Sequence, residues 1–324
     1  MYSRRKLLIS SATVAAAGWS LAARAQSWPQ RPVRIIVPFP PGGNSDAIAR
    51  IIAAHLGAAF GQQFVVESRA GAGGAIGAES VARAAPDGYM LFLGSPSQIA
   101  ILPNVSKTAY DQVKDFSPIS VIGTNPLVMV ANPKLPVKTV SKLVDYARAQ
   151  PTSLTYATAG VGSIAHLTAV LFLDRAGLQM TPVTYKGGAP AMTDVIAGHV
   201  PIYFPNLSEA LAQASGGTLR LLAVTSDTRV PQLPDVPTLS ESGFPGFKVF
   251  TWNGLMAPAG TPPDIVTKIA DEVARAVKDP KIAERLAGMG VAPLGNRPEQ
   301  FAALIAADNQ MWSTAIKLAG IQEK

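Results

Sequence analysis

Any chemistry in this 324-residue chain falls to neutral donors, because its chemically useful residues gather in four short loops. These hold Gly42, Gly43, Asn44, Ser45 and Asp46; then Ser95 and Ser97; then Gly160, Gly162 and Ser163; then Lys186, Gly187, Gly188 and Ala189. Glycine leaves backbone N–H groups uncovered, and a helix N-terminus aims such groups outward with the positive end of its dipole. Serine and asparagine add directional donors. Together they can hold a carboxylate without arginine. The same residue types also make plain tight turns, their commonest use, but four loops of one chemistry divided between two halves of the chain favour a shared cleft. Asp46 reads either as a first-turn acid favoured by the helix dipole or as a group that selects an amino group or a proton on a ligand.

The same residues do not compose a catalytic or metal site. His55, His166 and His199 are dispersed without ligand spacing for zinc, and the absence of cysteine removes disulfides, thiolate catalysis and cysteine-bound metal. A hydrolase built from Ser163, His166 and Asp194 lacks the GxSxG turn and crowds its serine against its histidine. The run from Gly71 to Gly77 approaches a dinucleotide fingerprint, yet Ile76 stands where the third glycine belongs and no acid follows about twenty residues later. A loop for close helix–strand packing accounts for it better. The expectation is a binding protein with no catalytic residue, no metal and no cofactor.

The elements that must position these loops alternate short β-rich runs with helical patterns, which predicts an α/β fold. Val33 to Phe39 reads as a strand, and Ile48, Ile51, Ile52, His55, Leu56 and Phe60 recur at helical spacing after it. Further strands are expected at Phe64–Glu67, Tyr89–Leu93, Leu154–Thr158, Pro182–Tyr185, Ile202–Phe204 and Leu221–Val224. A late helix starts at Thr261, Pro262 and Asp264, with Ile265, Val266, Ile269, Val273 and Val277 along one face. Extended segments at 126–132 and 249–258 interrupt the rhythm and are expected to carry the chain between two lobes: 26–125 with 255–324, and 126–254.

The first 25 residues stand apart. Arg4, Arg5 and Lys6 precede an apolar run ending in Ala23, Arg24 and Ala25, the order of a cleaved export signal of the twin-arginine or general secretion kind. Four of the 28 basic residues lie there and none of the 21 acids, so the remainder carries 24 against 21, a net charge of +3. Those basic residues are scattered singly, which argues against a nucleic-acid partner. Composition that is 48% hydrophobic supports a sizeable core without staples.

Seven motifs in order resemble the substrate-binding proteins of tripartite tricarboxylate transporters, the Bug family: VPFPPGGNSD (37–46), SRAGAGGAIG (68–77), PDGY (86–89), YATAGVGSIAHL (156–167), YKGGAPAMTD (185–194), PDVP (234–237) and APAGTP (257–262). The resemblance spans nearly everything after the signal. It implies a two-domain Venus-flytrap fold of the type II periplasmic binding protein kind, with a ligand cleft between the lobes. It also implies a periplasmic receptor that takes a small carboxylate and passes it to membrane permease subunits, and the chain is expected to act as a monomer; a sensor for a two-component kinase would use the same fold. Its ligand loops map to Gly42–Asp46 and the Ser95 region, and to Gly160–Ser163, Lys186–Ala189 and the Asn206 region; Thr158, at the end of the strand before the third loop, is expected at the site with them. Val170 and Pro201 depart from the family pattern, where glutamate and aspartate are common.

Overall fold

The computed structural model describes residues 28–150, 154–214 and 216–321; the expected export signal at 1–25 lies outside them. In chain order, Val33–Val37 (β1), Asn44–Phe60 (α1), Phe64–Ser68 (β2), Ala75–Ala82 (α2) and Met90–Gly94 (β3) form β-loop-α units, followed by Leu102–Val105 (α3). The chain continues through Phe116–Pro126 (β4), Val128–Ala131 (β5), Val140–Ala149 (α4), Thr155–Thr158 (β6), Ile164–Ala176 (α5), Thr181–Thr184 (β7) and Gly188–Ala197 (α6). Ile202–Tyr203 (β8), Leu207–Ala214 (α7), Arg220–Val224 (β9), Phe250–Pro258 (β10), Pro263–Ala276 (α8), Pro280–Gly288 (α9), Ala292–Pro293 (β11) and Pro298–Leu318 (α10) complete it.

Six strands form one sheet in the order β11-β4-β10-β3-β1-β2, with β1 parallel to β2 and β3 and with β10 antiparallel to β3 and β4. Its strands read as nearly continuous apolar runs because helices cover both faces. Alternation along the strands sorts the side chains: Ile35, Val37, Leu91 and Leu93 pack with Ile48, Ile52, Ile269 and Val273 of α1 and α8, whereas Ile36, Phe92, Val121 and Met256 meet Phe301 and Ile305 of α10 on the other side. The glycine-rich run after β2 serves packing. A β-carbon at Gly77 would come within 2.9 Å of the Arg69 carbonyl oxygen and 3.2 Å of Pro38 Cα.

The second lobe is built on two small sheets, β8-β5-β9 and β6-β7. Here too alternation divides the core: Leu127, Met129 and Ala131 face Leu143 and Phe172, while Val128 and Val130 face Ala157, Met192 and Tyr203. The chain leaves the large sheet at Pro126 and enters the small one at Val128, then returns through Val249 into β10. Thr225, fully buried, ties the two crossings together. Its Oγ1 accepts from Leu127 N at 2.8 Å and lies 2.6 Å from the Val249 carbonyl oxygen, to which the hydroxyl donates. A third connection crosses as well. Whereas Phe301 and Ile305 of α10 belong to the first lobe's core, Trp312, Ala315 and Ile316 pack with Leu127 and Phe172. Assigning all of 255–324 to the first lobe therefore needs correction at the end of α10, where an amphipathic helix of 21 residues is long enough to reach both cores.

Candidate functional site

A cavity of about 790 Å³ opens between the lobes, in the range of small-molecule sites. The β1–α1 loop supplies Phe39, Pro40, Pro41, Gly42 and Gly43, and the first turn of α1 supplies Asn44 and Ser45. Ser95 and Ser97 follow β3. From the second lobe come Ala159 and the start of α5 (Ser163, Ile164, Ala165), then Tyr203, Phe204, Asn206 and the start of α7 (Ser208, Glu209). Asn125, Leu127, Thr251 and Asn253 form the floor where the strands cross. Helix N-termini from both lobes thus meet one hollow, and their first-turn amides have no intrahelical acceptor.

Local bonding decides which donors remain for a guest. Gly43, the residue before α1, offers no side chain to cap the helix, so the cavity receives an uncapped N-terminus. Asn253 Nδ2 donates to Ser45 Oγ at 2.9 Å, which leaves the Ser45 hydroxyl hydrogen to donate elsewhere. Ser163 Oγ likewise accepts from His166 N at 3.2 Å. Asn125 is 2% exposed; its Oδ1 accepts from Leu207 N at 3.1 Å, which fixes the amide orientation, and its Nδ2 has no partner. Ser95 instead spends its hydrogen on Gln98 Oε1 at 2.8 Å. No Lys, Arg or His lines the cavity among the described residues.

Of the expected residues, Gly42, Gly43, Asn44, Ser45, Ser95, Ser97, Ser163 and Asn206 line the hollow. The others stand behind it. Asp46 Oδ2 accepts from Gly42 N and from Arg50 Nε, each at 3.0 Å. The Arg50 hydrogen bond, helped by the Gly42 amide, holds its carboxyl below the usual range, so Asp46 braces the loop. Thr158 is fully buried, with Oγ1 accepting from Gly160 N at 3.3 Å, and Gly162 N donates to His166 Nδ1 at 3.1 Å. Burial holds the His166 imidazole below its ordinary pKa, favouring the neutral ring that can accept this bond. Gly187 N reaches the Ala159 carbonyl at 3.2 Å and joins two loops. Lys186 and Ala189 are exposed outside the cavity wall, and Gly188 lies beneath Glu209 and Tyr203. Asp194 is engaged by Tyr185 Oη at 2.6 Å and by His199, away from Ser163.

Sequence reasoning missed Asn125, Asn253, Tyr203 and Glu209. The first two sit inside strands, where an asparagine carries no local signal of a site. Glu209, in the first turn of α7, reads locally as an acid favoured by the helix dipole.

The chain is similar to known proteins over nearly all of its length. The sequence profile described as the tripartite tricarboxylate transporter family receptor matches residues 48–321. Protein BugT of Bordetella pertussis is 36% identical over the whole of both chains. An R. palustris protein solved with adipate is 36% identical, with a TM-score of 0.80 over 92% of this chain and 100% of its own. MatC from Rhodopseudomonas palustris, solved with bound malate, is 32% identical, with a TM-score of 0.75 over 89% of this chain and 100% of its own. The two-lobed α/β architecture is the one these proteins share.

Proposed function

Because the chain belongs to the tripartite tricarboxylate transporter receptor family, we propose that it is a periplasmic solute receptor that closes on a small carboxylate and delivers it to the permease subunits of such a transporter. The family is one of receptors, so the chain is a binding protein and not an enzyme. The observation that carries the ligand class is the convergence of α1, α5 and α7 N-termini, with Ser45, Ser163 and the unpartnered Asn125 Nδ2, on one hollow that has no cationic side chain among the described residues. Neutral donors and helix dipoles suit a carboxylate there, since an anion regains in the cavity the hydrogen bonds it loses with water. The adipate and malate held by its relatives are consistent with that class.

The receptor works as a monomer whose hinge lies at Asn125–Leu127, Thr225 and Val249–Phe250. Donors from the two lobes reach the guest together only when the cleft is shut, so binding draws a pre-existing open–closed equilibrium towards the closed form. Closure is what a permease can read as a loaded receptor. A thermal-shift screen of the exported protein against dicarboxylates, tricarboxylates, aromatic acids and amino acids tests the ligand class. Stabilisation by a carboxylate, weakened about tenfold in affinity by Ser45→Ala, is expected; stabilisation only by sugars or cations would overturn it.

A further inference from the structure

Among the described residues, Glu209 is the one carboxylate on the cavity wall, an odd neighbour for a negatively charged guest. Its Oε2 is buried and has no hydrogen-bond partner, and no Lys, Arg or His of the described residues lies within ion-pair distance of it. The Tyr203 hydroxyl stands beside the same carboxyl group, over Gly188, and favours its charged form. Room for the pair is made from below: a β-carbon at Gly188 would fall 2.8 Å from Glu209 Oε1, 3.0 Å from Oε2 and 3.1 Å from Tyr203 Oη. Burial raises the carboxyl's pKa, and its place in the first turn of α7 offsets only part of that cost. An acid on a cavity wall with one buried, unpartnered oxygen asks for a donor, which a ligand can bring as the cleft rearranges around it.

Resting on the reading of the cavity as a carboxylate receptor, we propose that Glu209, seated with Tyr203 over Gly188, is a specificity-determining residue for a cationic nitrogen. The solute is then an ammonium-bearing carboxylate, an amino acid in the broad sense. Its carboxylate meets the amides and hydroxyls of the helix N-termini, and its ammonium donates to Glu209 Oε2. A single site thereby offers unpartnered donors, with Asn125 Nδ2 foremost, and one unpartnered acceptor. A plain dicarboxylate would satisfy the donors but set a second anion against Glu209 with no cation between them, so the same residue selects against it.

The test pairs ligands that differ only at the nitrogen: γ-aminobutyrate with glutarate, δ-aminovalerate with adipate, and leucine with isocaproate. Titration calorimetry on the exported protein and on Glu209→Gln measures all six. At least one amino compound is expected to bind the unaltered receptor about tenfold or more tightly than its partner, and E209Q is expected to lose that preference, as removal of a charge-assisted bond in a closed cavity requires. If E209Q does not fold, judged by its unfolding midpoint, Glu209→Ser replaces it. Tighter binding of the dicarboxylates, or a preference for amino compounds that survives in the variant, overturns the role of Glu209 while leaving a carboxylate receptor. No binding by any of the six, together with no carboxylate hit in the broader screen, overturns both.

Discussion

Asp308 offers a test of how the two cores are joined. It lies on α10 at 5% exposure and accepts a 2.7 Å hydrogen bond from Trp252 Nε1 of β10. Trp252 in turn stands edge-on to Phe301, with ring centroids 5.0 Å apart. Burial pushes the Asp308 carboxyl from 3.8 to about 6, even though the indole bond opposes that rise. At about 1.4 kcal/mol for each pH unit, this corresponds to about 3 kcal/mol. The folded protein holds this proton more tightly than the unfolded chain. Stability from this group is therefore fully present below about pH 4 and is lost as pH rises through about 6. Asp308→Asn removes the charge and keeps an acceptor for Trp252. Urea unfolding across that range is expected to find the variant more stable by up to about 3 kcal/mol near neutral pH, with the gap closing towards about pH 4. A variant less stable than the parent at every pH, or separated from it by a constant amount, would refute the assignment of a buried, charge-penalised acid.

Thr225→Val keeps the shape of the hinge residue but orphans Leu127 N and removes the donor to Val249. Chemical denaturation should report a loss of about 2–4 kcal/mol, with Thr225→Ser recovering much of it. Gln232 Nε2 of the second lobe donates to the Ala287 carbonyl of α9 in the first at 2.8 Å, a contact between the lobes. Gln232→Ala should weaken the best ligand of the carboxylate screen by about threefold to tenfold through the open–closed equilibrium, with the unliganded unfolding midpoint nearly unchanged.

Local signals in the chain were enough for the β-loop-α rhythm, because each apolar run and each Gly or Ser break is a property of neighbouring residues. The helix expected from Thr261, Pro262 and Asp264 is α8, and the apolar face read for it packs as the spacing required. The donor loops of α1 and α5 were legible for the same reason: a helix N-terminus after glycine is local chemistry. Family resemblance, carried by seven ordered motifs, added the two-lobed architecture that the structural relatives share.

What lay beyond local reading depended on which distant residue occupies each bond. Asp46 looked free to meet a ligand until the fold placed Gly42 N and Arg50 on its oxygen. Lys186 to Ala189 share the composition of the other donor loops, yet their turn lies outside the wall while Asn125 and Asn253, mid-strand, form its floor. Thr225 is unremarkable in sequence and becomes the tie between crossings only when Leu127 and Val249, 98 and 24 residues away, come together. Glu209 is an ordinary first-turn acid until Tyr203, Gly188 and the cavity surround it. Residue type and spacing determine which groups the chain can offer. Burial, and the partners that burial brings, decide which of them stay unpaired and so available to a guest.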